Sequence, residues 1–105
     1  MKNEYGEKLD NNGYAKSLLP TGVHCYHCFC MGDLERHEVF HGLLFRKRSK
    51  KYGCWVTLCF HCHYILHNSD GVLDMQLKED MQDAAMKHYG WTTKEFIGKF
   101  GKNYL

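Results

Sequence analysis

The sequence has a single proline, and no stretch of it approaches the run of about 18 apolar residues that a membrane-spanning helix needs. Its N-terminus, Met-Lys-Asn-Glu-Tyr-Gly-Glu, has no apolar signal region, so we expect a cytoplasmic protein in a reducing compartment. Internal repeats are absent, and no linker marks a second domain. The 105 residues therefore predict one domain with a modest core, which a structural metal would stabilise.

Six cysteines are many for such a chain. Four of them form two C-x-x-C pairs thirty residues apart, Cys25 with Cys28 and Cys59 with Cys62. Two such turns can close on one tetrahedral ion, so the spacing predicts a structural Zn²⁺ site rather than four free buried thiols. Cys30 could compete with Cys28, although C-x-C is the poorer match. No βαβ pattern surrounds either pair, which disfavours a thiol redox protein.

Two histidines follow the second cysteine pair at helical spacing. His63 and His67 are four residues apart, so on a helix they share one face and can hold one ion together. Neighbouring residues on a helix point about 100° apart, so Cys62 and His63 face different directions. The pattern therefore predicts a second metal site beside the zinc site, and a strand upstream offers His37-Glu38 for the third ligand that such a site needs. A surface pair or a packed pair of histidines is the alternative.

The remaining pattern predicts a small α+β fold with three parts, which are an irregular arm over 1–22, a metal domain over 23–70 and helices over 71–105 that pack on it. We expect short strands over 37–40 and 54–58. A helical turn over 48–52 should end at Gly53, and the first full helix should cover 60–68.

Two more helices are predicted near the C-terminus. The first covers 75–89, with Asp74 as its N-cap and a buried stripe made of Leu77, Met81, Ala84, Ala85 and His88. The second begins with a capping box formed by Thr92 and Glu95 and ends near Phe100, with Phe96, Ile97 and Phe100 facing inward.

The net charge is only +2, but basic residues are concentrated in one segment. Five of the fourteen lie within the six positions from Arg46 to Lys51. Phosphate contacts from such residues supply affinity for a nucleic-acid backbone without sequence information. For a basic run alone a solvated surface loop is the favoured interpretation, whereas beside a nuclease-like metal site contacts with the DNA backbone are favoured. A nuclear-localisation signal is a weaker alternative. The candidate DNA-binding residues are Arg36, Arg46, Lys47, Arg48, Lys50 and Lys51.

Together these residues resemble a known family. His37-Glu38 on a strand, a second strand from Trp55, and Cys59-x-x-Cys62-His63-x-x-x-His67 are similar to the HNH (ββα-metal, or His-Me finger) endonucleases, in the subgroup with two C-x-x-C pairs. The resemblance covers about residues 23–70. The tail from Gly90 to Leu105 further resembles small phage-encoded members, which implies the cytoplasm of a host cell.

The resemblance implies a ββα-metal core held together by a four-cysteine zinc site, with additional C-terminal helices. It implies a DNA endonuclease or nickase, acting as a monomer or homodimer, with one catalytic divalent ion (Mg, Mn, Ni, Co or Zn) bound by His37, His63 and His67. Imidazole ligands suit the transition metals better than Mg²⁺. The residue after His37, here Glu38, takes the position of the general base.

Two positions depart from the family pattern. Glu38 replaces the usual histidine base, and a free carboxylate, with a pKa of about 4.3 against about 6.5 for imidazole, is the weaker base toward water. Cys54 occupies the position where the family has an asparagine that orients the base. His41 is an alternative base. The alternative function is a catalytically degenerate zinc module that binds nucleic acid or a host protein.

Overall fold

The computed structural model describes residues 1–105, with two strands and four helices. In chain order these are β1 (Leu34–Glu38), α1 (Leu43–Lys51), β2 (Trp55–Cys59), α2 (Phe60–Asn68), α3 (Val72–Tyr89) and α4 (Thr93–Phe100). The strands pair antiparallel, with Leu34 opposite Cys59 and Glu38 opposite Trp55. The prediction of a small α+β fold is therefore confirmed. No helix is both long and apolar enough to cross a bilayer.

Strand β2 is buried on both faces. Because side chains alternate along a strand, Val56 and Leu58 enter the core between the sheet and the helices, whereas Trp55 and Thr57 face the N-terminal segment. The Trp55 indole donates a hydrogen bond to the carbonyl of Ala15 over 2.7 Å, and the backbone N–H of Thr57 donates to Thr21 Oγ1. The segment 1–22 contains no helix or named strand and packs along the sheet.

The predicted strand over 37–40 is shifted, because β1 ends at Glu38 and the chain then turns into the core. Phe40 is fully buried, and its backbone N–H and carbonyl both bond the hydroxyl of Ser49 on α1. The basic segment lies within the nine-residue helix α1, which is longer than the single helical turn predicted over 48–52. This helix follows Gly42, whose φ of 100° lies in the region that favours glycine.

Helix α3 begins three residues earlier than predicted. Gly71, in the left-handed conformation, precedes Val72, so Asp74 lies in the first turn and is not the N-cap. Its carboxylate instead contacts Lys78 and His41. A carboxylate in the first turn still favours the helix, because it faces the positive end of the helix dipole.

The predicted buried stripe of α3 is partly wrong. Leu77, Met81 and Ala85 are buried, but His88 is exposed and contacts Glu7 over 2.6 Å. Gln82 is buried in its place. Its side-chain amide bonds Asn103 and the backbone of Tyr104, so burial of this polar group is compensated and the C-terminal tail is held on the domain.

Helix α4 closes the core through an aromatic cluster. The ring centroid of Phe40 lies 4.4 Å from that of Phe100 and 5.3 Å from that of Phe96. The prediction that Ile97 faces inward is wrong. This side chain is 39% exposed, because Phe96 and Phe100 define the inner face of the helix and Ile97 lies about 100° away from Phe96.

Candidate metal centres

The four cysteines of the two C-x-x-C pairs form one cluster. The sulfurs of Cys25, Cys28, Cys59 and Cys62 all lie within 4.8 Å of one another. Cys28 Sγ is 3.7 Å from Cys59 Sγ, and tetrahedral coordination with Zn–S bonds of about 2.3 Å places neighbouring sulfurs about 3.8 Å apart. The donor set and its spacing therefore fit a structural metal such as zinc.

The backbone around the cluster favours thiolates at two of the four cysteines. Burial alone raises the pKa of Cys25, but hydrogen bonds from the backbone of Cys28, Cys59 and His27 outweigh it and lower the pKa to about 6. The backbone N–H of Cys62 donates to Cys59 Sγ over 3.4 Å and lowers the pKa of Cys59. Burial and the neighbouring sulfurs raise the pKa of Cys62. Four thiolates this close need a cation to offset their repulsion.

The remaining cysteines lie outside this group of four. Cys30 is exposed, and its carbonyl accepts a hydrogen bond from the backbone N–H of Cys25 over 2.8 Å. Its thiol also contacts the thiols of Cys28 and Cys59 at the edge of the cluster. Cys54 is fully buried, its thiol contacts the carbonyl of Tyr52 over 3.8 Å, and burial raises its pKa. Cys54 is thus a neutral thiol packed in the core.

A second cluster consists of four imidazoles. His37 lies on β1, His41 lies just after it, and His63 and His67 lie on α2. The ring centroid of His37 is 5.1 Å from that of His63 and 5.4 Å from that of His67. The donor nitrogens of His37, His63 and His67 lie within 4.8 Å of one another. Helix α2 therefore presents Cys62 to one cluster and His63 to the other.

His37 has an unpaired nitrogen at the centre of this cluster. The side chain is buried, and Nε2 has no hydrogen-bond partner. Burial, reinforced by the neighbouring imidazoles, lowers the pKa of His37 to about 3, so the ring is neutral at physiological pH. A neutral imidazole with an unpaired buried nitrogen is suited to bind a metal ion.

A carboxylate orients one of the helix histidines. Nδ1 of His63 lies 3.0 Å from Oε1 of Glu35, two residues before His37 on β1. If Nδ1 carries the proton, the Nε2 lone pair is free for a metal, which is the usual arrangement of metal-binding histidines. Glu35 is not among the predicted site residues. Its position two residues from His37 on a strand is the signal that could have identified it.

The structure also brings Asp74 to His41. The His41 Nε2 atom lies 3.5 Å from Asp74 Oδ1, and Lys78 Nζ lies 2.8 Å from the other carboxylate oxygen. Burial and then Lys78 lower the pKa of His41, against the opposite effect of Asp74. His37, His41 and Asp74 form a second group whose donor atoms lie within 4.8 Å. No sequence spacing connects Asp74 with this region.

Glu38 lies at the edge of the histidine cluster. Together with His37, His41, His63 and His67 it lines a cavity of about 150 Å³ that contains no hydrophobic side chain. Tyr14 from the N-terminal segment donates a hydrogen bond to Glu38 Oε2 over 2.9 Å. The candidate base is thus a carboxylate held by a phenol.

The six predicted DNA-binding residues have different contacts. Arg36 and Arg46 line the cavity of the histidine cluster. Arg36 also pairs with Asp10 over 3.0 Å and packs on the ring of Tyr14. Arg48 donates to two carbonyls near the end of α4. Lys50 lies over the same Tyr14 ring as Arg36, and Lys51 pairs with Glu4 over 3.1 Å. Lys47 lies on the same helix as these residues.

Family models, curated proteins and solved structures were all compared with this chain, and none of them matches it.

Proposed function

We propose that this protein is a metal-dependent DNA endonuclease or nickase of the HNH class, phage-encoded and built on a ββα-metal core. The observation that carries the proposal is the buried, unpaired Nε2 of His37 between two further imidazoles. An unsatisfied buried polar group costs about 1–3 kcal/mol, and a bound cation would remove that cost.

The histidines fit a catalytic divalent ion. Held by His37, His63 and His67, the ion would polarise a scissile phosphate oxygen and offset the negative charge that develops during phosphodiester hydrolysis. Glu35 orients the His63 ring for this role by accepting from Nδ1. Arg36 and Arg46, at the same cavity, are positioned to attract the DNA backbone.

Glu38 is the proposed general base. It lines the same cavity as the three histidines, and the Tyr14 phenol fixes its carboxylate. A base must first lie within reach of the attacking water, and its pKa matters only afterwards. His41 also lines this cavity and is neutral by virtue of its lowered pKa, so it is the rival candidate.

A catalytically degenerate module that binds nucleic acid or a host protein is the second candidate. The buried Cys54 thiol favours it, since that side chain contacts the Tyr52 carbonyl and gives no polar support to Glu38. Such a module would keep the zinc site and the basic residues but would have no hydrolytic activity.

Conversion of supercoiled plasmid tests the two candidates. Purified protein is incubated with plasmid and Mg²⁺, Mn²⁺, Ni²⁺, Co²⁺ or Zn²⁺, beside the variants His67→Ala and His61→Ala. His61 is exposed on the same helix and lies outside the histidine cluster, so it is the matched control. We expect nicked or linear product from the parent and from His61→Ala but not from His67→Ala. DNA binding without product at any metal would instead establish the degenerate module.

A further inference from the structure

Two aromatic side chains are exposed beside the histidine cluster. Phe60 and Tyr64 lie four residues apart on α2, so they share one face of the helix. They are 74% and 59% exposed, although large aromatic side chains are usually buried or placed at binding surfaces. Neither ring forms an aromatic pair with another side chain, unlike most tyrosines and phenylalanines of this protein. Their faces are therefore available to a ligand.

These rings line a groove that opens onto the candidate catalytic site. The groove has a volume of about 230 Å³ and is lined by Glu35, Phe60, His63, Tyr64, His67 and Asn68. His63 and His67 line both this groove and the cavity of the histidine cluster. A ligand that fills the groove would consequently lie next to whatever the histidines bind.

The two neighbouring cavities differ in charge. Arg36 and Arg46 line the cavity of the histidine cluster, which suits a phosphate. The groove has no lysine or arginine, and it offers aromatic faces with a carboxylate and an amide. Stacking surfaces with a few hydrogen-bonding groups suit a nucleobase, whose ring stacks on aromatic side chains while its edge forms hydrogen bonds.

We propose that the groove binds an unpaired nucleobase next to the scissile phosphate, with Phe60 and Tyr64 as its stacking surface. The substrate is then DNA with an unpaired base at the cut, which means a single strand, a flap or a junction. In an intact duplex both faces of each base are covered by its neighbours, and extruding a base costs a few kcal/mol. This inference rests on the proposed function, because it places the base beside a phosphate that the histidine cluster would bind.

Equilibrium binding to nuclease-resistant phosphorothioate oligonucleotides of one length, single-stranded or duplex, tests the inference. The double variant Phe60→Leu/Tyr64→Leu removes both aromatic faces and keeps apolar side chains. The matched control Phe60→Tyr/Tyr64→Phe keeps both rings. Base stacking on an aromatic ring contributes about 1–3 kcal/mol, so we expect the leucine variant to lose roughly tenfold or more in single-strand affinity. Its duplex affinity should change little, and the control should match the parent.

A 2-aminopurine base in the single strand provides a second readout. Stacking on a ring should quench its fluorescence in the parent and in the control, and the quenching should decrease in the leucine variant. Zinc content and the thermal midpoint of each variant show that the fold is retained.

The outcomes separate this inference from the proposed function. Plasmid cleavage with equal single-strand affinity in the parent and the leucine variant would overturn the stacking groove and leave the nuclease in place. A leucine variant that changes from dimer to monomer in sedimentation, with DNA selectivity unchanged, would assign the groove to a second copy of the chain and likewise overturn the inference. Absence of both cleavage and DNA binding in the parent would overturn both.

Discussion

The phenol of Tyr14 donates a hydrogen bond to Oε2 of Glu38 over 2.9 Å, and the two residues come from the N-terminal segment and from β1. Burial and the Glu38 carboxylate raise the pKa of Tyr14 to about 12, so the phenol keeps its proton and remains a donor through the neutral range. The carboxylate is thereby fixed at the edge of the histidine cluster, where the proposed mechanism requires a base.

Substitution of Glu38 distinguishes the two candidate bases. We expect Glu38→Gln to lower kcat about 10²–10⁴-fold with little change in KM, which is the usual contribution of a general base. Tyr14→Phe should reduce kcat less, because it only releases the carboxylate. Cleavage rates over a range of DNA concentrations provide the measurement. Full activity in Glu38→Gln together with its loss in His41→Gln would assign the base to His41.

Cys28 and Cys30 should respond differently to substitution. Cys28→Ser removes a ligand from the group of four, so we expect loss of bound zinc and of cooperative thermal unfolding. Cys30→Ser should retain zinc, because Cys30 is exposed and lies outside the group of four sulfurs that are within 4.8 Å of one another. Zinc stoichiometry by elemental analysis and the thermal midpoint by circular dichroism test both. Equal zinc loss in the two variants would show that Cys30 is a ligand.

The imidazole site should bind metal more weakly without its orienting carboxylate. We expect Glu35→Ala to reduce the affinity of the second metal about 10–100-fold, since loss of a carboxylate that orients a metal-binding histidine usually has this effect. His67→Ala, which removes a proposed ligand, should reduce affinity further. Calorimetric titration of zinc-loaded protein with Ni²⁺ or Co²⁺ measures this, with His61→Ala as the control. Unchanged affinity in His67→Ala would contradict the site.

Some basic residues of α1 should contribute to DNA binding and others to the stability of the fold. The double variant Arg46→Ala/Lys47→Ala should weaken the salt dependence of DNA binding. The slope of log K against log salt concentration should become less negative by about 0.9 for each phosphate that the variant no longer neutralises. Arg48→Ala should instead destabilise the fold by about 1–3 kcal/mol, because its guanidinium bonds the carbonyls of Gly98 and Lys99. Binding isotherms between low and high salt and urea denaturation measure the two effects. An unchanged slope in the double variant would make this part of α1 a solvated surface.

Protonation of Glu4 should make the fold less stable in acid. Burial alone raises its pKa, but hydrogen bonds from the Tyr52 phenol, its own backbone and Lys51 lower it from 4.5 to about 2. A folded pKa below the unfolded value means that the stabilisation is present above pH 4.5 and is lost as the pH falls toward 2. The stability difference between the parent and Glu4→Gln should therefore shrink over this range. Urea denaturation at stepped pH measures it, and a constant difference would contradict the assignment.

Local sequence pattern predicted those parts of the candidate site whose residues lie close together in the chain. Two C-x-x-C turns indicated a cysteine cluster, and the four sulfurs do lie together. Spacing along one helix predicted that Cys62 and His63 face different clusters, because neighbouring helical residues point about 100° apart. The capping box of Thr92 and Glu95 forms with both of its hydrogen bonds, since it depends on four consecutive residues. Helix α2 begins and ends as predicted.

Predictions that depended on distant partners were less accurate. The spacing of His88 fits the stripe of α3 and predicts a core position, yet Gln82 is buried instead, where the C-terminal tail satisfies its amide. The sequence predicts Asp74 as a helix cap, whereas a left-handed glycine begins the helix. Helical periodicity gives the face of a side chain, but it does not reveal which other segment will cover that face.

The sequence by itself therefore determined the two C-x-x-C turns, the histidine pair on α2 and the presence of the C-terminal helices, because each depends on spacing within one turn or one helix. Only the tertiary structure decided that Asp74 contacts His41, that Tyr14 holds Glu38, and that the basic residues of α1 point to separate neighbours. These contacts join residues 24 to 51 positions apart. Such pairs form only when the sheet and helices pack around a common core, and no local periodicity encodes them.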